Sequence, residues 1–98
     1  MAKIQHMYES VLIVSTTLGE DGIDAMVEKF KNLIETNATV EEVDIWGKRR
    51  LAYPINDEVE GFYVLYTFTA DADFPMELDR IYKITEGVLR SLIIRKDI

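Results

Sequence analysis

Residues 61–69 read Gly61-Phe62-Tyr63-Val64-Leu65-Tyr66-Thr67-Phe68-Thr69, and this run decides the fold. Phe62, Val64, Tyr66 and Phe68 share one parity, while Tyr63 and Leu65 share the other. Side chains alternate across a strand, so this one is apolar on both faces. A strand of that kind sits inside a sheet, with pairing partners on both sides. The run therefore predicts a central strand.

Working upstream, residues 40–53 read as a long strand. Val43, Ile45, Leu51 and Tyr53 fall on one parity; Glu42, Asp44, Trp46, Lys48 and Arg50 fall on the other. Gly47 interrupts the run, which predicts a bulge or a close backbone approach there. Pro54 is expected to end the pairing, and 56–61 forms an acidic turn. Further upstream, 7–14 is a dense apolar, β-branched run and predicts another strand. Residues 15–21 are polar and contain Gly19, so they predict a loop ending at Asp21 as a helix cap. From there to about residue 35, Ile23, Met26, Val27, Phe30, Leu33 and Ile34 recur at helical spacing and mark one buried face. Asn37 is expected to stop the helix through a left-handed conformation. Downstream, Pro75 suits the first turn of a second helix whose buried stripe is Leu78, Ile81 and Tyr82. Gly87 breaks that helix, and 88–95 predicts the last strand.

The order is β-α-β-β-α-β, the α+β ferredoxin-like pattern. Right-handed crossovers then put strands one and three in the middle of a four-stranded antiparallel sheet. Strands two and four become edges, both helices lie on one face, and the other face is left for a partner. At 98 residues, with no repeat or linker, the chain is expected to be a single domain over 1–98. Residues 1–6 are expected to form a flexible N-terminal extension.

The charge needs to be read along the chain rather than as a total. The formal net charge is −7, which taken alone argues against nucleic acid. Residues 1–47 carry a net −6 and residues 54–79 a net −7. Residues 48–53 carry +3, and so do residues 80–98. Positive charge is thus confined to two short blocks, and affinity for a polyanion follows the local patch.

Several chemistries drop out. There is no cysteine, which excludes disulfides, cysteine-based zinc sites and thiol nucleophiles. A single histidine, His6, leaves no histidine relay or multi-histidine metal site. No phosphate-binding glycine loop occurs, and the acidic stretch from Glu20 to Asp24 lacks the calcium-loop pattern. Glu41, Glu42 and Asp44 cluster in sequence, but strand alternation turns Glu41 away from the other two. They read as a charged edge strand that resists aggregation. No enzyme, cofactor, metal or small-molecule substrate is expected. No signal-peptide pattern and no membrane-spanning apolar run occurs, so a cytosolic protein without membrane contact is predicted.

Lys48-Arg49-Arg50 stands beside Tyr53. A basic triplet next to an aromatic ring combines phosphate neutralisation with a surface on which a base can stack. Arg80, Lys83, Arg90, Arg95 and Lys96 would widen that patch if the C-terminal block folds nearby. Physical reasoning alone leaves edge protection and RNA binding both open.

The run Gly47-Lys48-Arg49-Arg50-Leu51-Ala52-Tyr53-Pro54-Ile55 resembles the bacterial small-subunit ribosomal protein six family. Tyr8-Glu9, Glu60-Gly61-Phe62-Tyr63, Glu77-Leu78-Asp79-Arg80 and Val88-Leu89-Arg90 are similar to the same family in the same order. The resemblance covers 7–97. It implies a structural protein of the cytoplasmic ribosome that pairs with small-subunit ribosomal protein eighteen and binds the central domain of the small-subunit rRNA. It also implies that Arg49, Arg50 and Arg90 contact RNA or partner, with Lys48, Tyr53 and Arg80 behind them. Asn56-Asp57-Glu58 departs from the lysines of many relatives, and the chain stops at Ile98 where some relatives carry a longer tail. Either a lower partner affinity is expected from the shorter tail, or an affinity that rests on the edge strands alone.

Two other readings share the strand order. One is a binder of single-stranded RNA of the RNA-recognition-motif type, since Glu60-Gly61-Phe62-Tyr63-Val64-Leu65-Tyr66 partly matches that module's central motif. The other is a regulatory or oligomerisation domain, which the fold alone does not exclude.

Overall fold

The computed structural model describes residues 4–55 and 57–96. Strand β1 (Gln5–Ser15) leads through a 3-10 turn (Thr16–Leu18) into helix α1 (Gly19–Asn37). Strands β2 (Thr39–Ile55) and β3 (Glu58–Asp71) form a long hairpin, followed by helix α2 (Phe74–Ile84) and strand β4 (Val88–Arg95). The sheet is antiparallel throughout, in the order β2-β3-β1-β4. This is the predicted ferredoxin-like arrangement, with β1 and β3 central.

Register decides which residues face the helices. Tyr8, Ser10, Leu12 and Val14 stand opposite Phe68, Tyr66, Val64 and Phe62. That parity meets Val27, Phe30 and Ile34 of α1 and Leu78 and Tyr82 of α2, forming one core. Both helices therefore cover the same face. Phe30 is fully buried and packs edge-on against Tyr82, with ring centroids 4.7 Å apart. The core's hydroxyls are satisfied internally. Tyr66 donates to the Val27 carbonyl at 2.9 Å, and the Ser10 and Tyr82 hydroxyls share a hydrogen bond of 2.8 Å.

Burial pushes the Tyr66 and Tyr82 hydroxyls well above the usual tyrosine value of 10. The unfolded chain releases those protons near pH 10, whereas the folded chain keeps them. Their contribution is fully present below pH 10 and is lost as pH rises past it. Each tyrosine then lowers stability by up to about 1.4 kcal/mol per pH unit. Urea unfolding between pH 8 and pH 11.5 is expected to show this decline, and Tyr82→Phe to remove about half of its slope. A flat profile above pH 10 would contradict the assignment.

Several boundaries differ from the sequence reading, each for a local reason. β1 starts at Gln5, because Gln5 and His6 pair with Asp71 and Ala70. Within the expected extension, Met1 to Lys3 lie outside the described residues. α1 starts at Gly19 rather than at Asp21. The 3-10 turn runs straight into it, and Ser15 caps that turn by accepting the Thr17 amide at 3.2 Å. Asp21 occupies the first helical turn, where its charge suits the helix dipole. Asn37 does end α1, but by donating its side-chain amide to the Leu33 carbonyl at 2.9 Å and not through a left-handed backbone. Pro54 does not end β2. Pairing lapses before it and resumes where Ile55 meets Glu58.

Candidate functional site

The sheet face away from the helices carries the other parity. Glu9, Val11, Ile13 and Ser15 stand opposite Thr67, Leu65, Tyr63 and Gly61. On the far side of β1, the same face takes Ile94, Leu92 and Arg90 of β4. Leu92 and Ile94 are exposed. This face is divided along its length by charge, and three irregularities in β2 produce the division.

The first irregularities are bulges. Pairing shifts between Val40 and Glu42 and again between Ile45 and Gly47. Two residues then oppose one, so a side chain that strict alternation sends one way is sent the other. Glu41 therefore comes to the open face, where its carboxylate accepts from the Thr69 hydroxyl at 3.2 Å. Glu41 does not turn away from Glu42 and Asp44, as alternation had predicted. At the second bulge Gly47 has φ of +83°, a conformation that favours glycine. No neighbour lies where its Cβ would be, so the backbone angle and not crowding requires glycine there.

The second bulge also reverses which residues of the basic triplet take which face. Lys48 stands opposite Phe62 and turns toward the helices, lining a hollow with Glu20 and Asp24 in the first turns of α1. Arg49 stands opposite Gly61 on the open face. There it lines a shallow groove with Trp46, Arg50 and Tyr63. The Trp46 and Tyr63 rings stack with centroids 6.2 Å apart, and the Trp46 indole donates to Asp44 at 2.9 Å. Trp46 remains exposed. Alternation had placed it on the same face as Lys48, which the bulge corrects.

The last irregularity is an arch. Arg50 pairs with Glu60 and Ile55 with Glu58, so Leu51, Ala52, Tyr53 and Pro54 all stand opposite Val59 alone. The surplus chain folds over the open face. Leu51 is only 7% exposed, although it lies on an edge strand. It packs above Gly61, where an added Cβ would sit 2.4 Å from an Ile13 methyl and 3.4 Å from Leu51. The Ile13 methyl is what excludes a side chain at Gly61, and Leu51 sits at contact distance over the same glycine. Ile13, Leu51, Tyr53, Tyr63 and Arg90 together line the space under the arch. Arg90 donates to the Tyr53 hydroxyl at 2.9 Å, across a separation of 37 residues in sequence. The other leg of the turn is tied by Ser15, whose hydroxyl donates to the Glu58 carboxylate at 2.7 Å.

Of the predicted site residues, the fold thus gathers Arg49, Tyr53 and Arg90 at one end of the open face; Arg50 stands opposite Glu60, on the same parity as Lys48, yet lines the same groove as Arg49. Lys48 lies on the opposite face. Arg80 lies on α2 in the helix layer, where its Nε donates to Glu77 at 3.1 Å and its guanidinium holds that carboxyl below the usual range. It does not join the cluster. The exposed Trp46 belongs to the cluster but was not among the predicted residues. Its signal in sequence is Gly47, whose bulge resets the parity of the residues beside it. The opposite end of the face carries Glu9, Glu41 and Glu42. Among the described residues, no group of three or more acidic, histidine or cysteine side chains is placed to hold a metal ion. No helix among them is long and apolar enough to cross a membrane.

Forked guanidinium groups beside exposed aromatic rings can hold phosphate oxygens and stack on bases. The β3 aromatics do not form such a platform themselves. Phe62, Tyr66 and Phe68 face the helices, and only Tyr63 faces outward. That arrangement disfavours the reading as an RNA-recognition-motif module.

Comparison with known proteins agrees with this architecture. A family model described as "Ribosomal protein S6" matches residues 7–95. The chain is 50% identical to small ribosomal subunit protein bS6 of Clostridium botulinum (strain Hall) over 91 residues, which cover 92% of this chain and 97% of that one. It is 48% identical to the Clostridium beijerinckii protein of the same name over 92 residues, covering 93% and 97%. Among solved structures, it is similar to 30S ribosomal protein S6 from Thermotoga maritima. The TM-score is 0.89 at 28% identity, covering 95% of this chain and 89% of that one.

Proposed function

Because the chain belongs to the ribosomal protein S6 family and is a protein of the small ribosomal subunit, we propose that it binds the central domain of the small-subunit rRNA jointly with small-subunit ribosomal protein eighteen. As a structural component of a bacterial ribosome it works in the cytoplasm and is not an enzyme. The observation that carries the proposal is the gathering of Arg49 and Arg90 beside Trp46 and Tyr53 at one end of the open face, with Arg50 lining the same groove.

Shared recognition follows from the charge. Clustered arginines attract the phosphate backbone, while the acidic remainder of a chain of net charge −7 repels it. A basic partner laid against the acidic end of the face would neutralise that repulsion and complete the RNA site. Gel-shift titration of the central-domain RNA, with and without the partner, tests this. Binding is expected to be weak alone and tighter with the partner by on the order of a hundredfold, about 2.8 kcal/mol. Tight, partner-independent binding would reject the shared site.

A further inference from the structure

The arch of residues 51–54 has no ladder pairing of its own, since register lapses between Arg50 and Ile55. Leu51 seats one leg on Gly61, and Glu58 ties the other to Ser15. Between them lie three exposed residues, Ala52, Tyr53 and Pro54. Tyr53 reaches Arg90 of β4, although β2 and β4 are the two opposite edges of the sheet. We infer that this Arg90–Tyr53 hydrogen bond is a latch that holds the arch across the open face, and that Tyr53 is a positioning residue for the neighbouring arginines. The positioning half of this inference rests on the interface proposed above; the latch itself does not.

The physical argument concerns order lost before binding. Arg49 and Arg50 sit immediately before the arch, so freedom in the arch becomes freedom in their approach to a ligand. Ordering them at the moment of binding weakens affinity, whereas ordering them beforehand avoids that cost. The latch also orients Arg90. One of its five N–H donors is engaged by Tyr53, which leaves four that a phosphate or carboxylate could use.

Tyr53→Phe removes the hydroxyl and keeps the ring. Arg90→Gln removes the donor's charge. Hydrogen exchange of the Arg50, Ile55 and Glu58 amides, in the paired residues at the two feet of the arch, is measured on the isolated chain, for both variants and for the double variant. Each single change is expected to speed exchange there by about three- to tenfold, the scale of one hydrogen bond. Exchange in α1 should not change. The double variant should be no faster than the faster single one, because one shared contact has been lost. Gel shifts with partner and RNA should show Tyr53→Phe weaker by about threefold, with its salt dependence unchanged because no phosphate contact is removed. Unchanged exchange at the feet of the arch, or additive effects in the double variant, overturns the latch. Faster exchange with undiminished affinity, while reversal of Arg49 and Arg50 still abolishes assembly, overturns the positioning role. Normal assembly of that reversal variant would instead overturn the interface, and the exchange data would still decide the latch.

Discussion

Reversing Arg49 and Arg50 together, as Arg49→Glu and Arg50→Glu, is expected to give a folded protein that fails to join the RNA–partner complex. Both side chains are exposed and make no core contact, so stability should change by no more than about 0.5 kcal/mol for each. Binding should respond very differently. Each lost phosphate contact flattens the logarithmic salt dependence by about 0.7–0.9, and the new carboxylates add repulsion. Affinity for the partner-loaded RNA should fall by at least on the order of a hundredfold at low salt. Circular dichroism and gel shifts over a series of salt concentrations measure both halves. Lys48→Glu is the informative control, because the bulge turns Lys48 toward α1 and away from the groove. It should cost much less than the double reversal. An equal loss from Lys48→Glu would mean that the RNA surface spans both faces of the sheet. Unchanged assembly by the double reversal would reduce the arginines to edge protection.

The largest effect on stability is expected from Phe30→Ala. Phe30 is 0% exposed, lies on the inward stripe of α1 and packs edge-on against Tyr82. Truncation removes its transfer free energy and leaves a cavity that the surrounding sheet cannot easily collapse into. Such changes cost about 3–5 kcal/mol. A domain of this size has about 5–15 kcal/mol in total. Each kcal/mol shifts the melting point by roughly 4–8 °C, so a fall of about 15–30 °C is expected. Chemical denaturation should show the midpoint moving without a change in slope if the variant still unfolds in two states. A loss below about 1 kcal/mol would show that Phe30 is not central to the core. Because the site lies on the other face, a Phe30→Ala protein kept below its melting point should still join the complex.

The two predictions draw on parts of the molecule that differ in how openly the sequence displays them. Phe30 was readable as core from residues 23–34 alone, because helical spacing is a local property of the chain. The same holds for the central strand: two apolar parities in 61–69 leave it no exposed face. Gly47 announced an irregularity, but one glycine does not say which residue is doubled against its partner. That choice moved Glu41 to the open face, and it sent Lys48 to the helix face and Arg49 to the open one. Arg80 shows the opposite failure. It is as basic and as exposed as Arg49, and its spacing from Glu77 within one helix turn engages it locally instead.

The order of elements, the composition of the core, the absence of thiol and histidine chemistry, and the family through the run from Gly47 to Ile55 are all legible along the chain. These are written in periods and motifs that span a few residues and survive without knowing what the chain packs against. The assembled fold decided that the open face is acidic at one end and cationic and aromatic at the other. It also decided that Tyr53 and Arg90 meet from opposite edges of the sheet. Both depend on the register of four strands and on where two bulges and an arch interrupt it. Register is a cooperative choice among segments tens of residues apart, and a shift of one residue sends every following side chain to the other face.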